Sequence, residues 1–147
     1  MKAELTVPSQ LKFLSVVEHW LLESLRTEFG EQPNWPQIEN RLRLVVVEVY
    51  TNIVRHAHRG QPDLPVLLRL DIHEGALALE IWDQGQGFRL DRYTAPDPQT
   101  RQEGGYGWLI LSRLMDRVEY QLQVQGQYNC LRLEKDFAIA ALSVSSC

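Results

Sequence analysis

The chain has 147 residues, 44% of them apolar, which suits one domain with a sizeable buried core. Its 15 basic and 19 acidic side chains leave a net charge of −4, which argues against a general binder of the nucleic-acid backbone. The two cysteines, Cys130 and Cys147, cannot build a disulfide framework or a zinc site, and no apolar run approaches the roughly 20 residues of a membrane span. With no charged-then-apolar leader at the start, the expected setting is cytoplasmic, with no direct contact to nucleic acid or membrane.

Lys2 to Val7 alternates as a short strand does, Pro8 stops it, and Ser9 is placed to cap a helix. Leu11, Leu14, Val17, Leu21, Leu22 and Leu25 then recur at helical spacing up to Gly30. A second helix is expected from about Pro36 to His58, ending before Gly60. Val66 to His73 and Ala76 to Trp82 read as a hairpin around Glu74-Gly75. Arg89 to Glu103 has the composition of a surface lid, and Tyr106 to Met115 is helical. Arg117 to Val124 and Tyr128 to Asp136 form a last hairpin around Gln125-Gly126-Gln127. This order predicts an α+β two-layer sandwich, with a mixed, mostly antiparallel sheet and helices on one face. Residues 1–137 make one domain, and 138–147 a short apolar tail.

On the second helix Glu48, Asn52 and His56 recur every four residues. At 3.6 residues per turn they drift by only about 40° per step and form one polar stripe beside a broad apolar arc. A carboxylate there loses hydration and becomes a stronger base, while an asparagine carbonyl suits Mg²⁺. The competing reading is a solvated Glu48 paired with Arg41, Arg43 or Arg55 of the same helix. His19, His58 and His73 share no metal-like spacing with His56 and are set aside.

Asp83 closes the second strand of the first hairpin and is followed by Gln84-Gly85-Gln86-Gly87-Phe88. A carboxylate fixed at a strand end can accept a hydrogen bond from an exocyclic amine such as that of adenine, and the glycines let the backbone approach a ligand. Gly104-Gly105-Tyr106-Gly107-Trp108 leads into a helix, whose first N–H groups form an anion site. Neither run is a Walker loop, since no Gly-Lys-Ser/Thr follows, nor a dinucleotide fingerprint, since no β-α-β unit surrounds it.

The run from Glu48 through Asn52 to His56-Ala57 resembles the N box of the Bergerat-fold (GHKL) ATPases. Asp83-Gln-Gly85-Gln-Gly87-Phe88 resembles their G1 box, and the run from Gly104 through Met115-Asp116 to Glu119-Tyr120 their G2 box. The last stretch, with the modest length, is similar to the small anti-sigma-factor serine/threonine kinases. The resemblance implies ATP and Mg²⁺ as cofactors, Glu48 as general base and Asn52 as metal ligand. It implies that Asp83 binds adenine with Gly85 and Gly87 around it, that His56 lies near the nucleotide, and that Gly104, Gly105, Tyr106, Gly107 and Trp108 line the phosphates. It further implies a homodimer that phosphorylates a STAS-type anti-sigma antagonist and sequesters either a sigma factor or another regulator. Two alternatives are a partner-binding module with weak or lost catalysis, and a detached ATPase domain of a histidine kinase. The chain departs from the family pattern at Trp108, where leucine is usual, and at Tyr128-Asn129-Cys130, where many relatives have Gly-Thr. Its lid has Arg92 and Arg101 but no lysine anchor.

Overall fold

The computed structural model describes residues 1–85, 105–124 and 128–137, with only the backbone described at 105–108 and 124. Gly87, Phe88, Arg92, Arg101, Gly104, the 125–127 turn and the 138–147 tail lie outside the described residues. Strand β1 (Lys2–Pro8) leads through a short 3-10 turn into helix α1 (Leu14–Phe29), and helix α2 (Trp35–Asn52) follows. Then come the hairpin β2 (Pro65–His73) and β3 (Ala76–Asp83), helix α3 (Gly105–Leu114), and the hairpin β4 (Arg117–Val124) and β5 (Tyr128–Asp136). Among the described residues no helix is long and apolar enough to cross a membrane.

The strands form one sheet in the order β1-β2-β3-β5-β4. Among the described residues every neighbouring pair is antiparallel, so the expected mostly antiparallel sheet holds no parallel pair there. β3 and β4 run the same way, but β5 inserts between them. At the β2–β3 turn Glu74 and Gly75 both have positive φ (53° and 82°), matching the right-handed twist of a tight hairpin.

Alternation decides the faces. Val66, Leu68, Leu70 and Ile72 of β2, Leu77, Leu79 and Ile81 of β3, and Leu131 and Leu133 of β5 are buried with Val17, Leu21 and Leu25 of α1 and Val46, Val49 and Ile53 of α2. The opposite face carries charge: Arg69 pairs with Glu4 at 3.0 Å, and Arg132 pairs with Glu80 at 2.7 Å. Helices therefore cover one face, as the patterning predicts. The core extends to Phe137, whose ring meets Phe29 edge-on at 5.7 Å.

The first helix differs in detail from its sequence pattern. Leu11 falls in the 3-10 turn and is exposed. Ser9 does not cap, because its backbone N–H is drawn to the Leu64 carbonyl at 3.0 Å and its hydroxyl is buried without a partner among the described residues. Tyr50 of α2 holds this crossover instead. Its hydroxyl lies 2.7 Å from both the Pro8 and Gln10 carbonyl oxygens and accepts the Gln10 N–H at 3.2 Å. Burial pushes the phenol above its ordinary pKa. Tyr50→Phe strands these groups, so chemical denaturation should show a loss of about 1–3 kcal/mol with the fold retained.

Candidate functional site

β3 directs every second side chain into the core, and its last residue keeps that phase. Leu77, Leu79, Ile81 and Asp83 are all buried, which leaves a carboxylate only 1% exposed at the strand end. The β3–β5 register sets Asn129 directly opposite. Asn129 Nδ2 donates to Asp83 Oδ1 at 2.7 Å and to the Gly85 carbonyl at 2.9 Å, while its Oδ1 accepts the Gln123 N–H at 3.1 Å. The Gly85 N–H also donates to Asp83 Oδ1, at 3.0 Å. Among the described residues both bonds fall on Oδ1, so Oδ2 is available to a further donor. Burial raises the Asp83 pKa, opposed by these two bonds and by nearby His58.

Gly85 touches the end of the second helix backbone to backbone. A Cβ at this position would lie 1.9 Å from the Ala57 carbonyl oxygen and 2.4 Å from its carbon. This approach depends on a change in helical winding. After Asn52 the regular turns give way to a π turn over Ile53–Ala57, closed by the His58 N–H on the Ile53 carbonyl at 2.8 Å. The wide turn buries Ala57 and His58 and leaves His56 exposed, whereas Glu48 and Asn52 are half-buried. The regular 3.6-residue winding assumed for the stripe therefore holds only as far as Asn52.

Glu48 and Asn52 do form a pair. Both are half-buried, and Asn52 Nδ2 donates to Glu48 Oε1 at 3.1 Å. Arg43 is engaged by Glu39 at 3.2 Å, and among the described residues Glu48 forms no ion pair with Arg41, Arg43 or Arg55 but bonds to Asn52. That bond leaves the Asn52 carbonyl oxygen available, the hard donor that Mg²⁺ prefers. Among the described residues no three His, Cys, Asp or Glu side chains cluster as a metal centre. α3 begins at Gly105 and is anchored by Leu111, with Met115 just beyond its end. The side chains of Tyr106 and Trp108 lie outside the described residues. A cleft of about 390 Å³ that includes Arg69, Trp82 and Tyr128 opens on the charged face, behind Asp83.

Two residues of this site escape sequence reasoning. Asn129 stands out in the chain only as a departure from a pattern, and it takes the β3–β5 register to set it against Asp83. His58 lacks metal-like spacing to the other histidines, yet its Nε2 accepts the Gln84 N–H at 2.9 Å. Its position just past a helix end, where a buried side chain can meet a neighbouring turn, is the available signal.

The fold is a two-layer sandwich, with an amide-paired glutamate on one helix and a buried carboxylate at a strand end. Residues 7–135 match the profile of the histidine kinase-like ATPase domain, and the chain belongs to that family, the GHKL ATPases. It is similar to the serine-protein kinase RsbW of Bacillus subtilis, with 29% identity over 127 residues, 80% of this chain and 76% of that one. The RsbW of Halalkalibacterium halodurans is 28% identical over 124 residues, covering 79% and 73%. An anti-sigma F factor of the latter organism is 33% identical over 82 residues, covering 53% and 56%. Among solved structures, full-length ShkA in complex with AMPPNP superposes with a TM-score of 0.52 at 22% identity, over 90% of this chain and 31% of that one. The Acinetobacter baumannii histidine kinase AdeS gives 0.51 at 13% identity, over 92% and 68%. The likeness to these two structures is one of fold.

Proposed function

We propose that this chain is an ATP-dependent serine/threonine protein kinase and anti-sigma-type regulator acting in the cytoplasm. Its kinase domain spans residues 1–137, and the domain is a homodimer that binds and phosphorylates a STAS-type antagonist and captures a sigma factor. The similarity to two RsbW serine-protein kinases over about four-fifths of the chain supports this reading. The observation that carries it is the Glu48 carboxylate, held by Asn52 rather than by an arginine.

The residues present fit the nucleotide. Asp83 Oδ2 would accept the adenine amine, with Gly85 and Gly87 beside it. Asn52 Oδ1 would hold Mg²⁺, and the run Gly104, Gly105, Tyr106, Gly107 and Trp108, which leads into α3, would offer backbone N–H groups to the phosphates, with His56 near the nucleotide. Bound Mg·ATP supplies the phosphoryl group. Glu48 takes the proton of the partner's serine hydroxyl as that oxygen bonds to the γ-phosphorus and ADP leaves. Positioning and charge stabilisation carry most of such a transfer, so a sparse set of side chains suffices.

Glu48→Gln keeps the Asn52 bond and should bind Mg·ATP nearly as wild type, while phosphate transfer to the partner falls on the order of a hundred- to ten-thousand-fold. Transfer at the wild-type rate would remove the general-base role. One observation favours a second reading, a partner-binding module with weak transfer. Asn129 spends both ends of its amide on Asp83, Gly85 and Gln123, where many relatives place a threonine toward the phosphates.

A further inference from the structure

His58 is the one imidazole of the described site that is fully enclosed; its side chain is 0% exposed. It follows the π turn directly and reaches across to the turn after Asp83. Its Nε2 accepts the Gln84 N–H at 2.9 Å, so Nε2 carries no proton and the neutral ring is protonated on Nδ1. Nδ1 is buried with no partner among the described residues. The ring also lies under the next residue, since a Cβ on Gly85 would come within 3.0 Å of His58 Cδ2. One side chain thus braces both residues that follow the strand-end carboxylate.

Protonation cannot leave this arrangement intact. A proton on Nε2 would face the Gln84 N–H, two donors 2.9 Å apart with no acceptor between them. Asp83 is the charged group that acts on His58, and its Oδ1 lies 4.0 Å from Nε2. That oxygen already takes the Asn129 and Gly85 bonds. An imidazolium drawn toward it competes with the bonds that shape the turn.

We propose that His58 is a positioning residue of the nucleotide site: its unprotonated Nε2 clamps the Gln84 backbone, and nucleotide held through Asp83 is released when the imidazole takes up a proton. The inference rests on the reading of Asp83 as the adenine acceptor. A purely structural histidine could move the Gln84 amide on titration but would not tie nucleotide affinity to it. Burial lowers the His58 pKa from its ordinary 6.5, with Asp83 opposing. The unfolded chain therefore binds the proton first. Stability from this group is complete above 6.5 and is lost as the pH falls from there through the lower folded value.

The test is nuclear magnetic resonance on the full chain between about pH 8 and pH 5, with adenosine as probe because it lacks titrating phosphates. The Gln84 and Gly85 amide signals should move with the His58 ring signals, at one midpoint below 6.5. Below that midpoint the wild-type Kd for adenosine should rise about tenfold per pH unit, as one linked proton requires. His58→Gln supplies an acceptor that does not titrate here, so its Kd should not follow pH. His58→Leu supplies none and should bind at least about tenfold more weakly than the glutamine variant throughout. A flat wild-type profile through the His58 midpoint overturns the inference and leaves the nucleotide site standing. A pH dependence that persists in His58→Gln assigns the effect to Asp83 and also overturns it. No adenosine binding at about pH 8 removes the nucleotide reading and the inference with it. Should His58→Leu fail to fold, the wild-type and glutamine profiles decide.

Discussion

Asp83→Asn is expected to abolish Mg·ATP binding while leaving the fold intact. The substitution keeps an oxygen for Asn129 Nδ2 and for the Gly85 N–H, the two bonds that shape the turn. The other end of the amide, however, becomes a donor and meets the donor amine of adenine. An acceptor is lost and two donors are set against each other at a position only 1% exposed, where water cannot compensate. A loss of about 3 kcal/mol or more follows, roughly a hundredfold or greater in Kd. Asp83→Ala should lose binding too, but it also strands Asn129 Nδ2 and the Gly85 N–H at a cost of about 1–3 kcal/mol in stability. Titration calorimetry on both variants, beside their denaturation curves, separates recognition from support. Wild-type affinity in Asp83→Asn would end the adenine assignment.

Gly85→Ala is the second large effect. The new methyl would sit 1.9 Å from the Ala57 carbonyl oxygen, and both colliding groups are backbone, so no rotamer relieves the clash. Either the turn after Asp83 or the end of the π turn must move, and each is part of the site. Stability should fall by about 1–3 kcal/mol, with Mg·ATP binding lost beyond detection. Gly60→Ala is the control. Gly60 has φ +74° and open space around its Cα, so alanine there costs about 1–2 kcal/mol of backbone strain and leaves the site alone. Equal nucleotide affinity in Gly85→Ala and Gly60→Ala would show that the close approach to Ala57 does not matter for binding.

Much of this architecture is legible in the chain. Both hairpins, the three helices and the place of Asp83 at a strand end come from local alternation and spacing, because a strand has period two and a helix 3.6 wherever it is placed. The Glu48–Asn52 bond follows the same logic, as residues four apart on a helix face meet. The pattern does not foresee where the repeat itself changes. The winding widens at Ile53, and no periodicity argument contains the contact between Ala57 and Gly85 that lies beyond that widening.

The contacts that finish the site join distant parts of the chain. Asn129 reaches Asp83 across 46 positions, and His58 reaches Gln84 across 26. The first depends on β5 inserting beside β3, an order that the alternation within single strands does not specify. The second depends on a glycine small enough for two backbones to touch. Residue types and spacing thus marked the three polar motifs, and their resemblance pointed to the family that the profile match shows. Sheet order, register and the π turn chose which side chains support the carboxylate, since those choices are made by packing between segments that are far apart in the chain.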